Sequence, residues 1–515
     1  MHVFEIVIVL LLLGAALAAG ARRIGAPYPA LLALAGAALA LMPGVPAVTL
    51  DPELALALFV APVLLDAAFD ASPRDLREHW RPVASLALVT VALTVAAVAV
   101  TARWLVPELP WPAAIALGAI VAPPDAAAAT AVLRQLRPPH RLLVILEGES
   151  LFNDASALLI YRLAVAAAAA GAISGWRIVP MLLLVTVGSI VLGLALARIT
   201  IWVTARIQDI ATAVIVQFIG TFGVWIIAER LHLSGILTMV VFAMSVARTA
   251  PDILPARIRI PSYAVWEVAV FVLNALAFIL VGLQLKPIVQ ELDRADLLDH
   301  TRIALTVCAA VILVRIAWAM GANVVRGPRT AEGRRHAIVV AWCGMRGTVT
   351  LAAALALPAN FPYRDLILFT SFLVVLGTLV VQGLTLKPLM ARLGLKQDDA
   401  VEREVRLARV ETLRAGAAAL AGGAVESEAA ELLRRKYRVR LEQAEARRGG
   451  ERPGAESANG ATEYAAAARA AMAAERRRLS ALRADGTIGD DAFHKVEEEL
   501  DRAELSAEAM NQEEG

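Results

Sequence analysis

Apolar and polar positions divide the chain sharply. Across its first 395 residues, runs of mostly apolar positions recur, each near the roughly 20 residues that an α-helix needs to cross a bilayer. The runs cover 3–20, 28–48, 53–70, 82–104, 112–133, 141–169, 178–203, 209–229, 232–248, 264–285, 303–325, 337–358 and 366–392. They predict an all-α polytopic membrane domain of about 13 spans over 1–395. The pattern ends at 396, after which charged residues interleave with alanine and leucine, as in solvated helices. One helical stretch is expected over 399–448, with a break at Gly422-Gly423. A Gly/Pro/Ser/Asn linker follows over 449–460, and a helical hairpin over 462–484 and 490–509.

Composition sharpens this division. The whole chain has 59% apolar and 19% charged residues. About 20 of its Lys+Arg and about 25 of its Asp+Glu lie after position 395, so the net charge of +2 divides into about +7 and about −5. A soluble single core, a secreted disulfide scaffold and a nucleic-acid-binding protein are excluded. Cys308 and Cys343, both in apolar runs, read as small core residues. The first run resembles a signal peptide, but it lacks a basic leader and Arg22-Arg23 follow it, so it is expected to remain as a span. Alternate loops carry roughly 17 arginines on one side against about 7 basic residues on the other. The bias predicts an outer N-terminus and, with an odd number of spans, a cytoplasmic tail.

Charge within a bilayer is costly and usually functional. Asp125, Asp154, Arg315 and Arg346 each lie about 9 to 13 residues into a span, so four helices bring four charges to similar depth. Asp66 lies nearer the inner end of the third. Two of these helices are interrupted where the charge sits. Span 5 reads Val121-Ala122-Pro123-Pro124-Asp125, and its prolines remove helix donors. Span 12 reads Gly344-Met345-Arg346-Gly347-Thr348. Proline and glycine also occur in ordinary membrane helices, but interruptions in both halves are a pointer to a transporter's midplane site. In Glu147-Gly148-Glu149-Ser150-Leu151-Phe152-Asn153-Asp154, Ser150 and Asp154 share one helix face and Glu149 and Asn153 another. Glu149 buried alone would be expensive, and an arginine such as Arg315 would neutralise it.

These segments resemble the monovalent cation/proton antiporter-1 family, the sodium/proton exchangers. They are joined by Trp266-Glu267 and Phe271-Val272-Leu273-Asn274, and the resemblance covers about residues 1–395. It implies an inverted-repeat antiporter with two crossed, unwound helices, a mobile core and a dimerisation domain, hence a homodimer. By motif position, Asp154 would be the main cation- and proton-binding carboxylate, Asp125 the second acid, and Ser150 an oxygen ligand. Together these three would hold the transported Na⁺. Asn153 takes the asparagine of the electroneutral branch, and Pro124 would supply a carbonyl where the family often has threonine. Asp66 stands for an acid, often glutamate, that lines the site. Glu149 and Arg315 match a buried structural ion pair, and Arg346 the basic residue that compensates charge at the second unwound helix. No cofactor is implied beyond the transported Na⁺ and H⁺.

A carboxylate in a partly dehydrated cavity takes up a proton more readily than in water. Proton and cation would then compete at Asp154. The expected activity is exchange of Na⁺, with Li⁺ and K⁺ as alternatives, for H⁺ by alternating access and without net charge movement. Two other classes compete with this reading: a proton- or sodium-coupled carrier of an organic solute, and a membrane sensor signalling through its tail. An enzyme is not expected, because the histidines lie at helix ends or in the tail and form no constellation at depth. The Ala- and Arg-rich composition with five lysines points to a bacterial cytoplasmic membrane.

Overall fold

The computed structural model describes residues 2–24, 26–43, 51–136, 138–170, 175–290, 294–326, 331–395, 400–421, 428–448 and 502. The chain forms two compact units, Met1–Asp398 and Asp399–Gly515. Each of the thirteen apolar runs contains helix, and no strand occurs among the described residues. In order they are span 1 (His2–Ile24), span 2 (Tyr28–Ala40) and span 3 (Pro52–Ala55, Leu56–Val60 and Ala61–Asp70). Span 4 follows as Trp80–Ala84, Ser85–Thr90 and Val91–Leu105, then span 5 as Trp111–Val121 and Ala126–Leu136, and span 6 as His140–Ala170. Next come span 7 (Gly175–Thr204), span 8 (Ile210–Arg230), span 9 (Gly235–Ile253) and span 10 (Ala256–Leu283). Span 11 is Arg294–Arg326, span 12 is Ala331–Trp342 and Thr348–Leu355, and span 13 is Arg364–Leu393. By length and composition, seven of the described helices are suited to cross a membrane alone.

Two features depart from uniform α-helices. Leu56–Val60 in span 3 and Ser85–Thr90 in span 4 are wider, π-helical turns, a local loosening often found beside functional sites. Spans 5 and 12 are interrupted outright. Proline at 123 and 124 removes donors and disfavours the helical conformation in the preceding residue, and Gly344 and Gly347 flank the other gap.

Packing sorts the spans into two bundles. Spans 1, 2, 3, 7, 8, 9 and 10 form one, and spans 4, 5, 6, 11, 12 and 13 the other. Within the second, spans 4–6 and 11–13 are matching triplets with a broken middle helix. They begin an odd number of spans apart, so they run in opposite directions through the membrane, which is an inverted repeat. Some intra-bundle contacts are made backbone to backbone. A Cβ on Gly36 would lie 2.2 Å from the Ile279 carbonyl oxygen, and one on Gly282 2.2 Å from that of Ala33, locking span 2 to span 10. Gly118 meets the Val95 carbonyl in the same way, a Cβ there falling 2.7 Å from it, which joins spans 5 and 4.

In the second unit, Ala400–Ala421 packs on Glu428–Arg448, and Arg414 reaches Glu445 at 2.6 Å. Gly422 and Gly423, where a break is expected, lie outside the described residues. The hairpin expected over 462–509 lies outside the described residues, apart from 502.

Candidate ion-exchange site

The interrupted segments of spans 5 and 12 cross at the centre of the second bundle. The Asp125 N–H donates to the Met345 carbonyl at 2.7 Å, which ties one break to the other. Contact is close enough that a Cβ on Gly347 would lie 1.6 Å from Asp125 Oδ2. A larger residue there would displace the Asp125 side chain.

Helix ends leave backbone groups unpaired and carry partial charge, positive at N-termini and negative at C-termini. The crossing brings four such ends together, and two side chains answer them. Asp125 Oδ1 accepts from the N–H groups of Ala127 (2.9 Å) and Ala128 (3.4 Å), which begin the second half of span 5. The Thr348 N–H, at the start of the second half of span 12, faces the same carboxylate. Arg346 does the converse. Its Nε donates at 2.6 Å to the carbonyl of Val121, the last residue of the first half of span 5, and Nη1 donates to Gly344 just past the first half of span 12. The Arg346 N–H is held by Thr378 Oγ1 of span 13 at 3.0 Å.

Span 6 passes this crossing. Asn153 is fully buried, and its Nδ2 donates to the Pro124 carbonyl at 3.4 Å, while Oδ1 has no partner among the described residues. Glu149 points the other way and meets Arg315 of span 11 in a two-pronged pair, Nη1–Oε1 at 2.5 Å and Nη2–Oε2 at 2.8 Å. Both side chains are 1% exposed. Arg315 also donates to the Val340 carbonyl from Nε (3.2 Å) and Nη2 (3.0 Å), bracing the helix just before the span 12 break.

Asp154 is buried beside Asp125 at the end of a cavity of about 1230 Å³. Among the described residues, no hydrogen bond or ion pair engages its carboxylate. Ser150 and Pro124 line the same cavity, as do Asp66, Asp70 and Glu147. The lining continues to Thr204, Leu254 and Arg259, near the loops after spans 3, 7 and 9, so the cavity opens toward that face between the two bundles. On the other wall Gln217 accepts from Trp266 Nε1 at 3.0 Å and donates to Ser262 at 3.2 Å, clamping span 8 to span 10.

The structure thus gathers Asp125, Asp154, Ser150, Asn153, Pro124 and Arg346 at the crossing. Asp66 is on the cavity wall, and the Glu149–Arg315 pair lies behind. Reading the sequence missed Thr378, a neutral residue in an apolar span without any distinguishing signal. It also missed Arg162, whose Nη2 contacts both Glu229 carboxylate oxygens at 2.8 Å. A signal did exist for Arg162: Ser150, Asp154, Leu158 and Arg162 recur at every fourth position.

A membrane bundle with crossed, interrupted helices, capped by one acid and one base beside a cavity with a free carboxylate, is the architecture of a secondary transporter. The family description "Sodium/hydrogen exchanger, transmembrane" matches residues 7–392, and the chain belongs to that family of transporters. It is 33% identical over 415 residues to an uncharacterized Na⁺/H⁺ exchanger of Mycobacterium tuberculosis (strain ATCC 25618 / H37Rv), covering 77% of this chain and 76% of that one. It is 29% identical over 423 residues to a sodium, potassium, lithium and rubidium/H⁺ antiporter of Bacillus pumilus (strain SAFR-032), covering 76% and 62%. The sodium proton antiporter MjNhaP1 from Methanocaldococcus jannaschii shares the fold, with a TM-score of 0.59 at 19% identity over 74% of this chain and 99% of that one.

Proposed function

We propose that this protein exchanges a monovalent cation for H⁺ one for one, by alternating access, with both ions competing at Asp154. The observation that carries the reading is the Asp154 carboxylate at the cavity's end, without a hydrogen-bond or ion-pair partner among the described residues, while Asp125 and Arg346 are already matched to helix ends. Asp154, Asp125 and Ser150 offer oxygens to the cation, with Pro124 and Asn153 completing the wall and Asp66 guiding cations inward. Glu149 and Arg315 hold span 6 to span 11, and Arg346 compensates charge at the second unwound helix. Na⁺ is the expected cation. The name of the Bacillus pumilus relative supports extending the range to Li⁺ and K⁺.

The arginine bias places the cavity mouth and the charged tail in the cytoplasm of a bacterial cell, with the N-terminus outside. Two copies associate through the bundle of spans 1–3 and 7–10, and the tail regulates exchange. The test is proton flux in everted vesicles after separate pulses of Na⁺, Li⁺ and K⁺. Wild type is expected to respond, and Asp154→Asn to lose the response at equal membrane abundance. Retained cation-coupled flux in Asp154→Asn rejects the site assignment. A rate that depends steeply on membrane potential rejects one-for-one exchange.

A further inference from the structure

The cavity leads from Asp154 to one face of the membrane, and a layer of side chains stops it from continuing to the other. Leu158 of span 6 and Val349 of span 12 pack there against Val60 of span 3, Val224 and Trp225 of span 8, and Met239 of span 9. This plug joins the two bundles. One further turn along span 6, at the closed face, Arg162 Nη2 donates to Glu229 Oε1 and Oε2, both at 2.8 Å, and Nη1 donates to the Leu233 carbonyl at 3.4 Å. Arg162 belongs to the bundle that carries the ion site. Glu229 ends span 8 of the opposite bundle, and Leu233 lies in the connection to span 9.

Along one face of span 6, the order is therefore hydroxyl (Ser150), carboxylate (Asp154), plug (Leu158) and ion pair (Arg162). The spacing is about 6 Å per step. The pair differs in kind from Glu149–Arg315. Its side chains are 44% and 39% exposed, against 1% for both members of the buried pair. Water competes for an exposed pair, so it biases an equilibrium about two- to fivefold and does not fix a structure. Such a bias suits a contact that must break in every cycle.

We propose that Arg162 and Glu229 form the latch that keeps the two bundles closed on the face opposite the cavity mouth, and that it opens whenever Asp154 is exposed to that face. The proposal rests on the alternating-access reading and assigns the contact that separates its two states.

The test uses the full chain with Leu158→Cys as a reporter, Cys308 and Cys343 being replaced by alanine. Labelling by a membrane-impermeant maleimide is followed in right-side-out and everted vesicles. With the latch intact, the reporter is shielded from the face opposite the cavity mouth. Arg162→Ala and Glu229→Gln are each expected to raise labelling from that face about two- to fivefold. The exchanged pair Arg162→Glu/Glu229→Arg is expected to return it toward the parent level, which an unfolded or merely loosened protein would not do. Unchanged labelling in both single variants overturns the proposal, as does an exchanged pair that labels like the singles. Cation-driven proton flux of wild type and parent in the same vesicles keeps the two readings apart. Active protein with unchanged labelling rejects the latch alone, whereas wild type inert to Na⁺, Li⁺ and K⁺ rejects the antiporter reading.

Discussion

The buried Glu149–Arg315 pair allows a prediction with a definite sign. Removing one partner leaves the other charge uncompensated in an apolar interior, which costs about 3–5 kcal/mol. Glu149→Met strands the guanidinium, although the Val340 carbonyl still accepts from it at 3.0 Å. Arg315→Met strands the carboxylate and also frees that carbonyl, adding about 1–3 kcal/mol for a buried group without a partner. The double variant Glu149→Met/Arg315→Met contains neither charge. Only the orphaned carbonyl remains, so its cost is about 1–3 kcal/mol, less than either single change. Simple addition of the two singles would instead give roughly 7–13 kcal/mol. Equilibrium unfolding of the purified protein in mixed micelles with increasing dodecyl sulfate, followed by tryptophan fluorescence, separates the cases. A double variant less stable than both singles would refute the reasoning, because the pair would then be acting as two independent packing residues.

Two further outcomes are expected. Gly347→Ala would overlap the Asp125 carboxylate and so displace Asp125 from its place at the crossing; sodium-driven proton flux should fall at least about tenfold at matched protein level, while Gly20→Ala, where a Cβ meets nothing within 4 Å, should retain it. At the start of span 8, Asp209 accepts from the Thr212 N–H and hydroxyl, both at 2.8 Å, and these bonds hold its carboxyl below the ordinary value of 3.8. A depressed folded value contributes stability above the unfolded one and loses it as pH falls through the folded one. Wild type should therefore exceed Asp209→Ala in thermal stability at neutral pH, with the gap closing below pH 3.8; a gap that is constant with pH would remove the charge from the explanation.

The long helices were legible because lipid demands an apolar run of fixed length, and the two breaks were legible because Pro123-Pro124 and Gly344/Gly347 cannot continue a helix at low cost. Depth along a helix also sufficed to bring Asp125, Asp154, Arg315 and Arg346 to one level. It could not tell which helix ends each charge would meet. That Asp125 serves two N-termini and Arg346 two C-terminal carbonyls depends on how spans 5 and 12 cross, and crossing is a tertiary property. The π-helical turns at 56–60 and 85–90 were hidden for a related reason: Leu56-Ala57-Leu58-Phe59-Val60 has ordinary helical composition, and the extra residue per turn follows from its neighbours. Arg162, eight residues before the end of span 6, and Glu229, at the end of span 8, carry no pattern that pairs them in the sequence. Their meeting required knowing that spans 6 and 8 lie together at that face.

The electrostatics of the ion-carrying bundle bear on why the proposed cycle would be an exchange and not a leak. Asp125 is matched by N–H groups at two positive helix ends, Arg346 by carbonyls at two negative ends, and Glu149 by Arg315. Each charge is thus balanced inside the bundle and travels with it. Asp154 differs in having no such partner among the described residues. With a proton or one monovalent cation bound there, the site would move as a neutral unit. Empty, it would carry an uncompensated negative charge past the plug of Leu158, Val60 and Trp225. An unpaired charge in such surroundings costs several kcal/mol even after water and neighbours adjust, which slows the empty transition by two orders of magnitude or more at about 1.4 kcal/mol per tenfold. On the proposed reading both loaded forms would then cross and the empty form would wait, so each cation moved in one direction would require a proton returned in the other. Asp125 is already matched by backbone N–H groups, but a further unmatched carboxylate at the position of Asn153 would break this balance, since one monovalent cation could no longer neutralise the site. Asn153, buried against Pro124 with a neutral amide, would keep the balance at one charge.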